Sequence, residues 1–260
     1  MGPDQQGLVA RYDALMFSEP FLEYGDRGDF ANYGWWDPPT TSQKRACEQL
    51  MERLMACVPE KTGTLLDVAC GKGATTRYLT KWYRPEQLTG INISERQLAS
   101  ARQAVPGASF HLMDATRLEF PDATFDTVVC VEAAFHFDTR ADFLREAYRV
   151  LRPGGRLVVT DILMTREAER SRSSFTEKNH LPNPTAYTDV CRAAGFVDVR
   201  VEDVIEQCWR GCFRNVVRFA HEKFLRREID RATLETVLEP SYTRVGEIVS
   251  YLRGAMRRPA

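Results

Sequence analysis

Short apolar runs alternate with amphipathic stretches from about residue 44 onward. Cys47, Leu50, Met51, Leu54, Met55 and Val58 recur at steps of three and four, which places them on one face of a helix that Pro59 closes. The run Leu65–Val68 (LLDV) ends at a glycine turn and predicts a strand covered on both faces. The same reading predicts a helix over 73–83, a strand over 87–93, a helix over 94–105 and a strand over 109–113. FDTVVCV (125–131) is rich in β-branched residues and predicts a fourth strand. Thr139, with Asp142 three residues on, approximates a capping box that opens a helix over 140–151. Arg152-Pro153-Gly154-Gly155 stops that helix and turns the chain into a fifth strand, RLVVTDIL. VDVRVEDV (197–204) predicts a sixth strand and the apolar run 246–256 a seventh. Strands alternating with helices make a mostly parallel sheet with helices on both faces. The predicted fold class is α/β, doubly wound, with seven strands.

Three segments break the alternation. Residues 1–43 read as loop-like and aromatic, with the dense patch Phe30-Ala-Asn-Tyr33-Gly-Trp35-Trp36. Residues 164–184 are polar and contain Pro182 and Pro184. Residues 205–245 read as helical, with arginines and aromatics intermixed. Ligand crevices in open α/β sheets lie outside the carboxyl ends of the strands, so these segments are expected to cap that edge.

Composition narrows the choice of partner. Lys and Arg number 35 against 36 Asp and Glu, a net charge of −1, which removes the electrostatic drive of a general nucleic-acid binder. Apolar residues at 43% and charged residues at 27% fit an ordinary globule rather than a disordered chain. The cysteines (47, 57, 70, 130, 191, 208 and 212) form no CxxC pair and read as buried free thiols of a reducing compartment. The first residues carry no basic lead or apolar core of a signal peptide, and no apolar run approaches the ~20 residues that span a bilayer. A soluble, cytoplasmic protein without membrane contact is expected.

The most informative stretch is Asp67-Val-Ala69-Cys-Gly71-Lys-Gly73, between a strand and a helix. A turn this tight needs residues that let backbone approach a ligand. Thr76 stands where a dinucleotide fingerprint would want its third glycine, and Asp67 sits in the strand end. A carboxylate there repels a pyrophosphate and suits a ligand carrying an ammonium group.

These residues resemble the glycine motif of class I S-adenosylmethionine (SAM)-dependent methyltransferases, with Ala69 in place of the usual first glycine. The resemblance continues in order. Gly90-Ile-Asn92-Ile93-Ser-Glu-Arg-Gln97 looks like the end of the second strand, where the ribose hydroxyls are held. Asp114-Ala115 looks like the pair at the adenine amino group. Phe120-Pro-Asp-Ala-Thr-Phe125-Asp126 and Val150-Leu-Arg-Pro-Gly-Gly-Arg156-Leu are similar to the approaches to the fourth and fifth strands. One departure is Asn92, where most of the superfamily has Glu or Asp; a neutral amide holds a hydroxyl less strongly than a carboxylate does.

The resemblance implies a Rossmann-like fold in one methyltransferase domain over 1–260: a lid (1–43), a SAM-binding core (44–163), substrate caps (164–184 and 205–245) and the remaining core (185–204 and 246–260). It also implies SAM as cofactor and a small-molecule acceptor. In similar enzymes an N-terminal aromatic-plus-glutamine segment closes over SAM, and Tyr33, Trp36 and Gln43 match that layout, whereas Trp35 reads as a plain hydrophobic contact. An attacking hydroxyl must lose its proton, so a base is expected. His136, just past the fourth strand, is the candidate, histidine being readily poised near neutral pH. Glu132 either faces the cofactor's methionine end or orients His136, and Asp161 either orients the base or acceptor or is a solvated strand-end carboxylate. His111, His180 and His221 are expected at sheet or cap surfaces. No metal site is expected.

The reading is methyl transfer to a hydroxyl oxygen of a secondary metabolite such as a polyketide, peptide or glycoside. Carbon or nitrogen methylation, and a SAM-binding cyclase or binding protein, are the alternatives. A nicotinamide dehydrogenase is disfavoured by Asp67 and the missing glycine.

Overall fold

The computed structural model describes residues 3–172, 177–243 and 245–260. Residues 173–176, inside the predicted 164–184 cap, lie outside the described residues. The strands are β1 (Leu65–Val68), β2 (Leu88–Asn92), β3 (Ser109–Leu112), β4 (Phe125–Val131), β5 (Leu151–Met164), β6 (Val197–Asp203) and β7 (Ile248–Arg257). They join in the order β3-β2-β1-β4-β5-β7-β6. Neighbours from β3 to β5 pair parallel, and β7 runs antiparallel between β5 and β6. The predicted strands are all present. The fifth begins earlier than expected, at Leu151, because Leu151 already pairs with Phe125 of β4, with a register shift before Thr127 and Arg156 pair.

The central strands read as unbroken apolar runs because helices cover both faces. Val128 and Cys130 of β4 join Leu157 and Val159 in a core closed by α6 (Arg140–Val150) and α8 (Pro184–Ala193). Val129 and Val158 point the other way, against α3 (Gln43–Met55) and α4 (Ala74–Leu79). The predicted apolar stripe of α3 is buried along its length, and burying each such side chain stabilises by about 1.5–3 kcal/mol. The capping box of α6 forms with Asp142 in the usual glutamate's role: the Thr139 hydroxyl accepts from the Asp142 N–H, and the Asp142 carboxylate accepts from the Thr139 N–H. Helix α5 (Glu95–Ala104) closes the β2–β3 side over Cys70, Leu98 and Phe110.

The irregular segments differ most from expectation. Residues 1–43 are not loop throughout: they contain α1 (Pro3–Met16) and α2 (Glu19–Tyr24). The 164–184 stretch holds the short α7 (Arg166–Arg170), and 205–245 forms α9 (Trp209–Leu225) and α10 (Arg231–Thr243), as expected. Among the described residues no helix is long and apolar enough to cross a membrane.

Candidate active site

The glycine turn leaves β1 and packs onto β2 through the Cys70 N–H, which donates to Ile91 O. Ala69, Gly71 and Gly73 all have positive φ (58°, 56° and 85°). Ala69 therefore carries a side chain in the left-handed region, a strain of about 1–2 kcal/mol that a glycine would avoid. The two glycines do different work. A Cβ on Gly73 would lie 2.8 Å from the Ala101 backbone, so this glycine allows α5 to approach. A Cβ on Gly71 would meet only side-chain ends, the Met16 methyl at 3.3 Å and Gln97 Oε1 at 3.9 Å. That backbone is open to close approach by a ligand.

Asp67 is fully buried below the turn. Its Oδ2 accepts from the hydroxyls of Thr75 (2.7 Å) and Thr76 (2.6 Å), and among the described residues no cation pairs with it. Burial pushes its pKa up to about 6, against the pull of the two threonines. Glu132, past the end of the neighbouring β4, is in a similar state. Burial lifts its pKa to about 8, its Oε1 accepts from the Tyr33 N–H (2.7 Å) and the Tyr251 hydroxyl, and no cation pairs with it among the described residues. Glu132 therefore does not orient His136. A fully buried Asp67 and a partly buried Glu132, at the ends of adjacent strands and without a cation among the described residues, favour a cationic ligand beside them.

At the end of β2 the Asn92 amide is occupied locally: Oδ1 accepts from the Ile93 N–H (2.9 Å) and Nδ2 donates to Gln97 Oε1 (2.8 Å). Gln97 Nε2 and Ser94 Oγ both donate to Asp13 Oδ1, each at 2.7 Å. At the end of β3, Asp114 Oδ1 accepts from the N–H and hydroxyl of Thr116 while Oδ2 accepts from Gln5. Ala115 is buried in the core and Ile93 is half-buried.

Gln5, Tyr12, Asp13 and Met16 lie at helical spacing on one face of α1 and reach Asp114, His136, Gln97 and Gly71 in turn. Sequence reasoning missed all four. The only signal was that spacing, since the face is polar rather than an apolar stripe.

His136 sits in a 3-10 turn after β4, its ring 4.1 Å from that of Phe135. Arg172 donates to Nδ1 and Tyr12 Oη lies 2.7 Å from Nε2. A guanidinium only donates, so Nδ1 holds the lone pair, and the proton sits on Nε2 facing Tyr12. Burial, then the charges of Arg172, Arg11 and Arg140, keep the imidazole pKa well below the usual 6.5. Arg172 also lies over the Phe135 ring at 4.6 Å. It is a fifth residue the sequence did not reveal.

Two of the three expected lid residues serve elsewhere. Gln43 donates to Asn32 O (2.7 Å) and accepts from the Tyr24 hydroxyl (2.9 Å), so both ends of its amide brace the segment ahead of α3. Trp36 packs its Cβ against Gly211 of α9 and donates from its indole to Tyr33 O. The Tyr33 ring packs at a tilt against those of Trp209 and Tyr251, and the Tyr33 N–H donates to Glu132. Trp35 is core, against Leu50 and Tyr251.

The expectation for Asp161 is corrected. It is wholly buried, its Oδ2 accepting from Arg140 Nε (2.7 Å) and its Oδ1 from the Ile162 N–H (2.8 Å). Both ring nitrogens of His136 are taken by other partners, so Asp161 does not orient the imidazole. Arg140 carries the bond on to Asn179 O and Ile162 O, and the pair ties α6 to β5. His111 and His221 are exposed, and His180 contacts Glu169.

A family model described as a methyltransferase domain matches residues 66–159. The 27-O-demethylrifamycin SV methyltransferase of Amycolatopsis mediterranei (strain S699) is 33% identical over 192 residues, covering 68% of this chain and 70% of that protein. Methyltransferase GfsG of Streptomyces halstedii is 31% identical over 241 residues, 80% and 82% of the two chains. The crystal structure of the [4+2]-cyclase SpnF superimposes with a TM-score of 0.76 at 22% identity, covering 100% of this chain and 98% of that one, a likeness of fold. The relatives point to S-adenosylmethionine as the cofactor, a cation that suits a glycine turn beside two acids with no cationic partner among the described residues. The chain belongs to the class I SAM-dependent methyltransferases that act on small molecules.

Proposed function

We propose that this enzyme methylates a hydroxyl oxygen of a small secondary metabolite of the polyketide, peptide or glycoside kind, with His136 as the general base. The observation that carries the proposal is the half-buried His136 imidazole in the turn after β4, its Nε2 2.7 Å from the Tyr12 hydroxyl of α1 and its Nδ1 bonded by Arg172. The name of the rifamycin relative, an O-methylating enzyme, points the same way.

SAM supplies a methyl group already activated on a sulfonium. For this chain's residues, the work is holding and deprotonating. Asp67 and the backbone at Ala69, Gly71 and Gly73 would take the amino-acid end, with Glu132 beside it. Asn92, Ile93 and Gln97 would meet the ribose, and Asp114 and Ala115 the adenine. Residues 44–163 then form the cofactor half and the cap segments cover the acceptor. Closure falls to α1 rather than to residues 33–43.

His136 is masked in this arrangement. An acceptor hydroxyl must take the place of Tyr12 at Nε2, and Nε2 can accept its proton only once Arg172 releases Nδ1 and the tautomer exchanges. The depressed pKa keeps the imidazole neutral, the form a base needs. Replacing His136 with Ala should lower kcat by about 10²–10⁴-fold while S-adenosylhomocysteine still binds in calorimetry. Undiminished turnover removes the base from His136. Mass spectrometry of the product, with hydroxyl-blocked acceptor as control, tests oxygen as the methylated atom.

A further inference from the structure

The end of β2 lacks the carboxylate that its resemblance to the family calls for, and the structure brings one there from elsewhere. We propose that Asp13, on α1, is the residue whose carboxylate holds the ribose hydroxyls of the cofactor, in place of the acid missing at Asn92. The inference rests on the reading that this strand end is the ribose site.

The local hydrogen bonds make the argument. Asn92 has its carbonyl on the Ile93 N–H and its amide on Gln97, so it offers a neutral and partly occupied group. Gln97 in turn presents its amide N–H to Asp13, and Ser94 adds its hydroxyl. Both bonds land on Oδ1. Among the described residues no hydrogen bond lands on Oδ2, which leaves an anionic acceptor at the mouth of the site. Ser94 and Gln97 belong to the N-terminal turn that opens α5, where Ser94 also caps the helix by accepting from the Gln97 N–H. Both donors on Asp13 thus come from one capped turn, which holds the carboxylate at two points. A pair of vicinal hydroxyls is a bidentate donor, and bonds from it to a carboxylate are roughly twice as strong as to an amide.

The neighbouring contacts of α1 fit the same picture. Gln5 reaches Asp114, and Met16 covers Gly71. A ligand stretched from the end of β3 to the glycine turn would lie under this one helix, with Asp13 between those two contacts. The core then holds the ribose well only when α1 is docked.

The test is calorimetric titration of the full chain with S-adenosylhomocysteine, which has the ribose but no methyl to transfer. D13N should weaken binding by roughly ten- to hundredfold, the loss of charge-assisted hydrogen bonds, with an unchanged melting temperature as the folding control. Adding N92D to D13N should recover most of that loss, because the acid returns to the strand. With 2′,3′-dideoxy-S-adenosylhomocysteine the effect of D13N should shrink to less than about threefold. Equal binding by D13N and the native chain overturns the proposal and leaves the cofactor reading intact, and tighter binding by D13N also overturns it by showing that Asp13 competes with the ribose. If the native chain fails to bind S-adenosylhomocysteine, it is the placement of the cofactor site that fails.

Discussion

Asp67 at the end of β1 and Asp161 towards the end of β5 stand on strands separated only by β4, and both are shut away from solvent. Their settings are opposite. Asp161 has a guanidinium on it, with Arg140 in turn bonded to two carbonyls, so its charge is matched inside the protein. Asp67 has two threonine hydroxyls and, among the described residues, no cation, and burial pushes its pKa up to about 6. A matched carboxylate ties elements together. An unmatched one costs stability, and the fold retains it where a bound cation would complete it. Sequence position alone cannot separate the two, since both are acids late in a parallel strand; the difference lies in whether a distant arginine arrives.

The comparison can be broken most severely at Arg140. Changing it to Met strands Asp161 without a partner and should cost about 3–5 kcal/mol in denaturant unfolding at pH 7. A loss under ~1 kcal/mol would mean that the pair is not what joins α6 to β5.

Asp67→Asn should act in the other direction. A folded-state pKa of about 6 against an ordinary 3.8 means the folded chain holds more proton than the unfolded one between those values. Stability then falls as pH rises through that window and stays low above it. Asn removes the slope and should add up to about 3 kcal/mol at pH 8 and almost nothing at pH 3.5. The same variant should lose SAM binding by more than about tenfold. A variant that is less stable at pH 8, or that binds normally, would erase the contrast between the two aspartates.

A third test applies the same logic to a base. Arg172 is an unwelcome cation beside His136, second only to burial in lowering its pKa. Arg172→Met should move the acid limb of the kcat/KM profile upward, towards but not reaching the ordinary 6.5, because burial remains. An unmoved limb would separate the titration of activity from this imidazole.

The smallest effect belongs to Gly7, inside α1, where an added Cβ meets nothing within 4 Å. Gly7→Ala should stabilise that helix by about 1 kcal/mol and tighten S-adenosylhomocysteine binding by up to about fivefold. Weaker binding would show that α1 must leave, rather than settle, when the site fills.

Most of the sheet was legible because burial on two faces leaves a plain mark: LLDV and FDTVVCV tolerate little else. The edge strand β3, with three of four residues exposed, leaves a much weaker mark of that kind. Helix α1 was illegible for a physical reason. Its inner face carries Gln5, Tyr12 and Asp13, side chains suited to polar partners at the strand ends, so PDQQGLVARYDALM shows no stripe. Gln43 and Trp36 misled in the opposite sense, because an amide with both ends occupied and an indole against a glycine of α9 look, as letters, like ligand contacts. Glu132 and Asp161 stand out in the sequence as acids at strand ends, but neither the burial of Asp161 nor the partners of the two can be read there, because those partners lie 99 and 21 residues away in the chain, beyond any local pattern.

The reversed strand β7 lies between β5 and β6, with Val197 to Asp203 reaching the rest of the sheet only through it. A polypeptide interrupted before Ile248 would therefore leave β6 unanchored and one border of β5 bare, an open invitation to edge-to-edge aggregation. Assembly of this half has to wait for residues 248–257, so heterologous production should be more sensitive to premature termination there than to loss of the exposed α9–α10 tip.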